Sequence, residues 1–344
     1  MKTHINDISN YRFLTNLFFI LFLSFSSLFF SQNFSQVPVK TPPVKSSLLP
    51  EIASVSENIV YKTDKKGNPI ALDLYMPKNT TSDQLPVLIY VHGGGWVEGD
   101  KTVHADDYLE TTIVKLIAKQ YAVISINYTL LNENTHFPLP VEDTKDAIRW
   151  VRKNAEKYHF DSGNIGLFGA SAGAHLSLLA AYTPDNTYIG SPELSSYSAK
   201  VNYVIDHYGP ADLNQLFHTR LGTIPVSIIR LMSKKIVTLQ QELVKGLSGY
   251  NIRKDQDMAI DYLKTISPVY FVSDGVPTLI MQGNKDKVVP LNQSKKLYRK
   301  LKRAKVQTSL VIVDNGVHGF GTTDKAYLDK ITDEMVDFIV SQKK

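Results

Sequence analysis

The sequence predicts an α/β protein built on a mostly parallel, eight-stranded sheet flanked by helices. Eight apolar, β-branched runs recur along the chain: "NIVYKT", "IALDLYM", "VLIYVHG", "YAVISINY", "NIGLFGAS", "VNYVIDHYG", "TLIMQG" and "TSLVIVD". Each has the length and composition of a buried strand. From the third run onward, segments of helical period separate most of them, and strands alternating with helices imply parallel pairing with helices on both faces. The first two runs are joined by "DKKGNP", too short for a crossover helix, so an antiparallel hairpin is expected at the sheet edge. Between the fourth and fifth runs, "PVEDTKDAIRWVRKNAEKY" opens on a proline and carries acids in its first turn. Val141, Ala147, Ile148, Val151 and Ala155 recur there at three- and four-residue spacing, which predicts one amphipathic helix covering the sheet.

Ahead of the first run, Phe13 to Phe30 are dominated by Leu and Phe, follow a leader holding Lys2 and Arg12, and give way to a polar stretch. This order reads as a signal peptide over residues 1–31, or as an uncleaved signal anchor, since the run is long enough to span a bilayer. The expected location is secreted or periplasmic, with membrane association only if the segment is retained. Residues 32–56 mix Pro, Ser, Val and Lys without periodicity and read as a linker, leaving 57–344 as the folded domain. The 344 residues, 43% hydrophobic and 21% charged, suit one large α/β domain and exclude a disordered, fibrous or polytopic chain. Lys and Arg outnumber Asp and Glu by 38 to 33. With no arginine-rich run interleaved with aromatics, the surplus reads as a mildly basic surface and no nucleic-acid partner is expected. The absence of cysteine excludes a disulfide framework and thiolate chemistry. Nothing in the sequence specifies an oligomeric state.

Sheets of this kind bind ligands at the carboxyl ends of their strands, and three segments put reactive groups there. "NIGLFGASAGAHLSLLAAY" runs from a strand through Gly169-Ala170-Ser171-Ala172-Gly173 into an apolar helix. G-x-S-x-G in a strand-turn-helix setting thrusts the serine hydroxyl out of the sheet as a nucleophile. A small-residue turn for close packing explains the glycines but not the serine between them. A serine hydroxyl needs a base, and the base an orienting carboxylate. His318 follows the last run in the glycine-flanked "VHGFG", whereas the other histidines, His175 and His207 among them, lack such a context. For the carboxylate, Asp286 lies in the loop after the seventh run and is preferred to its rival Asp314, which, four residues before His318, ends its strand too early to reach the imidazole. Ser171, Asp286 and His318 occur in the chain order of the α/β-hydrolase triad. In "VHGGGW" the third run ends on three glycines. The N–H groups of Gly94 and Gly95, with that of Ala172 after the nucleophile, are the expected oxyanion hole, and His92 is expected to brace the loop.

"HGGGWVEGDK", "GASAGAHL", "HYGPADL", "ISPVYFV" and "GNKDKVVP" together resemble the HGGG-type esterases of the α/β-hydrolase superfamily. The resemblance is to the bacterial feruloyl and acetyl-xylan esterase-like group (BD-FAE-like), and next to the hormone-sensitive-lipase-like esterases. The latter usually show "GDSAGG" at the elbow, where this chain has Ala170 and Ala174. The resemblance runs from about Ile59 to the end. It implies carboxylic-ester hydrolysis with no metal and no organic cofactor, on a small ester or an acylated carbohydrate.

Residues 214–265 form an apolar, basic insertion after the sixth run. They are expected either to cap the active site, with Ile224, Val226, Ile228, Ile229, Leu231 and Met232 lining an acyl pocket, or to fold as a peripheral helical subdomain with its own core. Two other functions stay open on sequence grounds: a serine exopeptidase of prolyl-oligopeptidase type, which shares the triad order but usually carries a large propeller, and a non-catalytic envelope protein that kept the fold.

Overall fold

Each of the eight apolar runs folds as a strand. The computed structural model describes residues 44–220, 234–321 and 325–343. The expected signal peptide or anchor, the first part of the expected linker and the six proposed acyl-pocket residues lie outside the described residues. Strands β1 (Ala53–Thr63), β2 (Pro69–Pro77), β3 (Leu85–Val91), β4 (Ala122–Ile126), β5 (Phe160–Ala170), β6 (Tyr203–His207), β7 (Thr278–Gly283) and β8 (Thr308–Val313) form one sheet in the order β1-β2-β4-β3-β5-β6-β7-β8. The β1–β2 hairpin is antiparallel as expected, and β2 also meets β4 antiparallel. The other five pairings are parallel, so the sheet is mixed with an antiparallel edge.

Both faces of the sheet are covered. In β3 every residue is buried, and the side chains alternate: Val87, Ile89 and Val91 enter one core, Leu88 and Tyr90 the other. That is the period-2 consequence of a strand buried on both sides. Helices α1 (Tyr108–Ala118), α2 (Leu139–Lys153), α3 (Ala172–Tyr182), α4 (Lys234–Ser248), α5 (Gln256–Thr265), α6 (Asn292–Arg303) and α7 (Lys325–Ser341) supply the outer layers. α1 and α7 bury Ile113, Leu116, Met335 and Ile339 on the Leu88 face, while α2, α3 and α6 bury Ile148, Leu176 and Leu297 on the other.

The predicted amphipathic helix is broken. α2 stops at Lys153, Asn154 leaves helical geometry, and a separate turn, Ala155–Tyr158, ends at His159 in the left-handed region. Val141, Ala147, Ile148 and Val151 are buried as the spacing requires. Two acids of the second turn, Asp143 and Asp146, are also buried: Lys62 of β1 reaches Asp143 and Asp146 at 2.7 Å each, and Arg149 reaches Asp146 at 2.9 Å. Charge placed inside is tolerated here because each carboxylate has a cation and further hydrogen bonds, such as Ser191 N–H to Asp146.

The domain starts earlier than the composition predicts. Ser46 N–H donates to the Val103 carbonyl at 2.9 Å, Ala105 N–H to the Val44 carbonyl at 2.8 Å, and Leu49 is buried ahead of β1. Residues 44–56 are therefore part of the fold and not a linker. Backbone bonds, the buried Leu49 and a buried hydrogen bond from Ser46 Oγ–H to Glu110 hold them, and none of these leaves a periodic signal. Among the described residues no helix is long and apolar enough to cross a membrane.

Candidate active site

β3 and β5 are neighbours, with Val91 opposite Gly169 at their carboxyl ends. The glycine loop and the serine turn therefore emerge side by side, where the strand order changes direction. Ser171 sits between β5 and α3 with φ 54° and ψ −119°, a conformation that non-glycine residues rarely hold. Its N–H donates to the His207 carbonyl at 2.9 Å, and its carbonyl accepts from His175 N–H at 3.1 Å. The flanking glycines are required by packing. A Cβ on Gly169 would lie 2.3 Å from the Gly173 oxygen, and one on Gly173 would lie 2.1 Å from the Val91 oxygen. Close approach of β3, β5 and α3 thus fixes the turn that projects the hydroxyl.

Ser171 Oγ lies 3.0 Å from His318 Nε2, and His318 Nδ1 lies 2.8 Å from Asp286 Oδ2. Asp286 is held from both sides: Oδ1 accepts the N–H groups of Val288 and Val289 at 2.9 Å, and Oδ2 also accepts Gln282 Nε2–H at 2.9 Å. Ser294 Oγ–H in turn donates to Gln282 Oε1 at 2.8 Å. With its Nδ1–H given to this carboxylate, the imidazole presents its Nε2 lone pair to the hydroxyl, the tautomer a general base needs. Asp314 is exposed at the end of β8, where it accepts Asn284 Nδ2–H at 2.9 Å. The structure thus brings Asp286, and not Asp314, to His318.

The glycine loop turns tightly, with the N–H groups of Val97 and Glu98 both donating to the Gly94 carbonyl at 3.1 Å. Gly94 has φ +104°, and a Cβ there would lie 2.0 Å from the Glu98 oxygen; Gly95 has φ +58° with nothing within 4 Å of its Cβ position. Among the described residues, no hydrogen bond occupies the N–H groups of Gly94, Gly95 or Ala172. His92 acts as a brace: its Nδ1–H donates to the Gly93 carbonyl at 2.7 Å and its ring stacks on Tyr128 with centroids 4.2 Å apart. Burial pushes its pKa down to about 4, so it is neutral near pH 7. Among the described residues no group of three or more His, Cys, Asp or Glu side chains is arranged to hold a metal ion.

The BD-FAE family profile matches residues 72–301, from β2 to the end of α6. The chain belongs to the BD-FAE family. Esterase LipC of Mycobacterium tuberculosis is 25% identical over 84% of this chain and 66% of its own length. Arylacetamide deacetylase of Bos taurus is 38% identical over 36% of this chain and 31% of its own. The chain thus spans about two thirds or less of the length of these curated relatives. Among solved structures, a truncated carbohydrate esterase from gut microbiota superposes with TM-score 0.62 at 25% identity, covering 87% of this chain and 99% of that one. Esterase 2 of Thermogutta terrifontis, in its butyrate-bound form, superposes with TM-score 0.63 at 22% identity over 84% of this chain and 94% of its own.

In this BD-FAE chain, several residues around the site carried no sequence signal. Gln282 orients Asp286 from inside β7. His175, four residues after Ser171, accepts Trp96 Nε1–H at its Nδ1 and donates Nε2–H to the Ile266 carbonyl. Tyr208 packs edge-on against His318 with ring centroids 4.7 Å apart, and its hydroxyl pairs with that of Tyr108 at 2.8 Å. The described helices of the insertion join the main core through Val244, Leu247, Ala259 and Leu263. A subdomain with a core of its own is therefore not what they form. They grip the segment before α2, with Tyr262 Oη–H to the Phe137 carbonyl at 3.1 Å and Phe137 N–H to the Leu247 carbonyl at 3.4 Å.

Proposed function

We propose that the chain is a serine carboxylic-ester hydrolase that deacylates an acylated carbohydrate or a related small ester through an acyl-enzyme. The carrying observation is the continuous line of hydrogen bonds from Asp286 through His318 to Ser171 Oγ, beside three N–H groups with no partner among the described residues. The names of the relatives, esterase and carbohydrate esterase, support the same reading.

Ser171 Oγ attacks the ester carbonyl carbon while His318 Nε2 takes its proton. Asp286 holds the imidazolium that forms, and the N–H groups of Gly94, Gly95 and Ala172 receive the oxyanion. Ala172 opens α3, so the partial positive charge of the helix start adds to the last donor. Collapse of the intermediate expels the alcohol, protonated by His318. Water then enters, gives its proton to His318, releases the acid and restores Ser171. The N-terminal apolar run supports the further proposal that the enzyme works outside the cytoplasm.

Acetylated xylan, methyl ferulate, short p-nitrophenyl esters and aminoacyl-nitroanilides, assayed with wild type and Ser171→Ala, test the proposal. Ester hydrolysis and fluorophosphonate labelling that both vanish in Ser171→Ala are expected. Preferred cleavage of nitroanilides would move the reading to the exopeptidase, and a wild type that neither labels nor turns over would move it to a non-catalytic fold.

A further inference from the structure

The positive charge of this chain is not spread over its surface. Between Lys285 and Lys305 the sequence holds nine Lys and Arg against one acid, a local charge of +8 where the whole chain carries +5. That acid is Asp286, buried and engaged with His318. The remainder of the chain is therefore net acidic.

The structure arranges these cations in one tract that starts at the site. Lys285 and Lys287 flank Asp286 in the loop after β7, both exposed. α6 follows, burying Gln293, Ser294, Leu297 and Leu301. Its outer surface shows Lys295, Arg299, Lys302 and Arg303, at helical spacings of four, three and one, and Lys305 extends the tract beyond it. Of the two other cations, Lys296 pairs with Asp212, and Lys300 donates to the Val269 carbonyl while lying over the Tyr270 ring. Among the described residues, the seven exposed cations have no carboxylate within ion-pair distance, although Asp274 and Asp314 stand on adjoining segments.

Ordinary helix stabilisation does not explain this. Cations in the last turn of α6 favour its C-terminus, which accounts for Lys302 and Arg303. Lys285, Lys287 and Lys295 lie before or within the start of the helix, where positive charge is unfavourable, and Lys295 and Arg299 repel as an i,i+4 pair. A polyanion laid along the tract relieves each of these repulsions. Because the tract begins on both sides of Asp286, the polyanion that fits is one that also brings an ester to Ser171.

We infer that Lys285, Lys287 and the outer face of α6 form a docking surface for an anionic, acylated polysaccharide, with carboxylate or sulfate groups along the chain that delivers the ester. This rests on the ester-hydrolase reading above and narrows its substrate. The surface should lower KM for an acidic polymer without helping a small neutral ester, and its effect should be screened by salt, since exposed charges lose most of their interaction beyond the Debye length.

Initial rates are to be compared on acetylated polyuronate, acetylated sulfated xylan, acetylated neutral xylan and p-nitrophenyl acetate, for wild type and a Lys295→Gln/Arg299→Gln/Lys302→Gln variant. Raising NaCl from about 0.05 M to about 0.5 M should increase wild-type KM by roughly tenfold on an acidic polymer and leave p-nitrophenyl acetate unchanged. The triple variant should show the high-salt KM at low salt. The polyuronate and sulfated arms separate the two sources of charge. Equal KM on acidic and neutral polymers, insensitive to salt, overturns the docking surface while leaving the ester-hydrolase reading intact. If neither polymer is hydrolysed although p-nitrophenyl acetate is, the polysaccharide reading has failed, and binding decides the surface. Ser171→Ala protein retained on a polygalacturonate matrix, and released by the triple substitution, supports it. Tighter binding to duplex DNA or to vesicles of anionic lipid, or no retention, overturns it.

Discussion

Trp96 and His175 join the glycine loop to the residue that directly follows the insertion through one imidazole. The indole N–H donates to Nδ1 at 3.2 Å, and Nε2–H continues to the Ile266 carbonyl at 2.7 Å, just beyond α5. Trp96 directly follows Gly95 and is itself held at φ +67°, so this bond fixes the loop that carries two of the three proposed oxyanion donors. Trp96→Phe keeps an aromatic ring and removes only the donor, leaving a buried acceptor without a partner. The expected loss is about 1–3 kcal/mol of stability. kcat on p-nitrophenyl acetate should fall with KM nearly unchanged, because the donors matter most in the transition state. Wild-type kcat in this variant would show that the bond braces the fold without placing the donors.

The two proposed donor glycines should not respond alike. At Gly94 an added Cβ meets the Glu98 carbonyl at 2.0 Å, and the backbone is at φ +104°, which L side chains rarely adopt. Gly94→Ala should open the turn and depress kcat by at least about a hundredfold. At Gly95 the Cβ finds open space, and φ +58° costs an alanine roughly 1 kcal/mol, or at most about tenfold in rate. Steady-state kinetics on the two variants checks the order, and equal losses would contradict the geometry.

Asp286→Asn should lower kcat by about four orders of magnitude, as expected when the imidazole loses the carboxylate that sets its tautomer. Asp314→Asn, on the exposed side of Asn284, should stay within about twofold of wild type. Gln282→Leu removes the side-chain amide that shares Asp286 Oδ2 with His318 and should fall between them. The three kcat values, with a pH–rate profile for each, test the arrangement. A large loss in Asp314→Asn would reverse it.

Ser171, the His318 loop and the strands were legible because their signals are local. A strained turn needs small flanking residues, and a doubly buried strand needs a continuous apolar run. Asp286 was separable from Asp314 as well, since Asp314 ends its strand too soon before His318 for its carboxylate to reach the imidazole. The brace at His175 was not legible, since Trp96 lies 79 residues away and Ile266 91, and no periodicity encodes such a contact. Gln282 was hidden inside a run that reads only as strand. The docking of residues 44–52 escaped because backbone bonds and the isolated contacts of Ser46 and Leu49 hold it, none of them periodic. The basic tract was visible as letters, but its one-sidedness depends on which face of α6 is buried.

Buried ionisable groups give the fold an opposed pH dependence. His92 and His175 are pushed down to about 4 and His207 to about 3, each chiefly by burial. Below the unfolded value of about 6.5 the unfolded chain binds protons that the native chain refuses, so stability falls as pH drops from about 6.5 toward 4. Asp206 works the other way. It is fully buried, its Oδ1 accepts Gly209 N–H at 2.7 Å, its Oδ2 has no partner among the described residues, and burial raises its pKa to about 7. Here the native state keeps a proton that the unfolded chain has lost, so stability declines as pH rises from about 4 to about 7. Asp206→Asn retains the acceptor for Gly209 and cannot ionise. It should therefore be more stable than wild type at pH 8, gain little at pH 4.5, and show a steeper rise between pH 4.5 and pH 6.5, because the opposing contribution of Asp206 is gone. Urea unfolding of both proteins at these three pH values measures the difference. An equal loss of stability at pH 4.5 and pH 8 would mean that the carboxyl is needed for its shape and that its charge does not shape the profile.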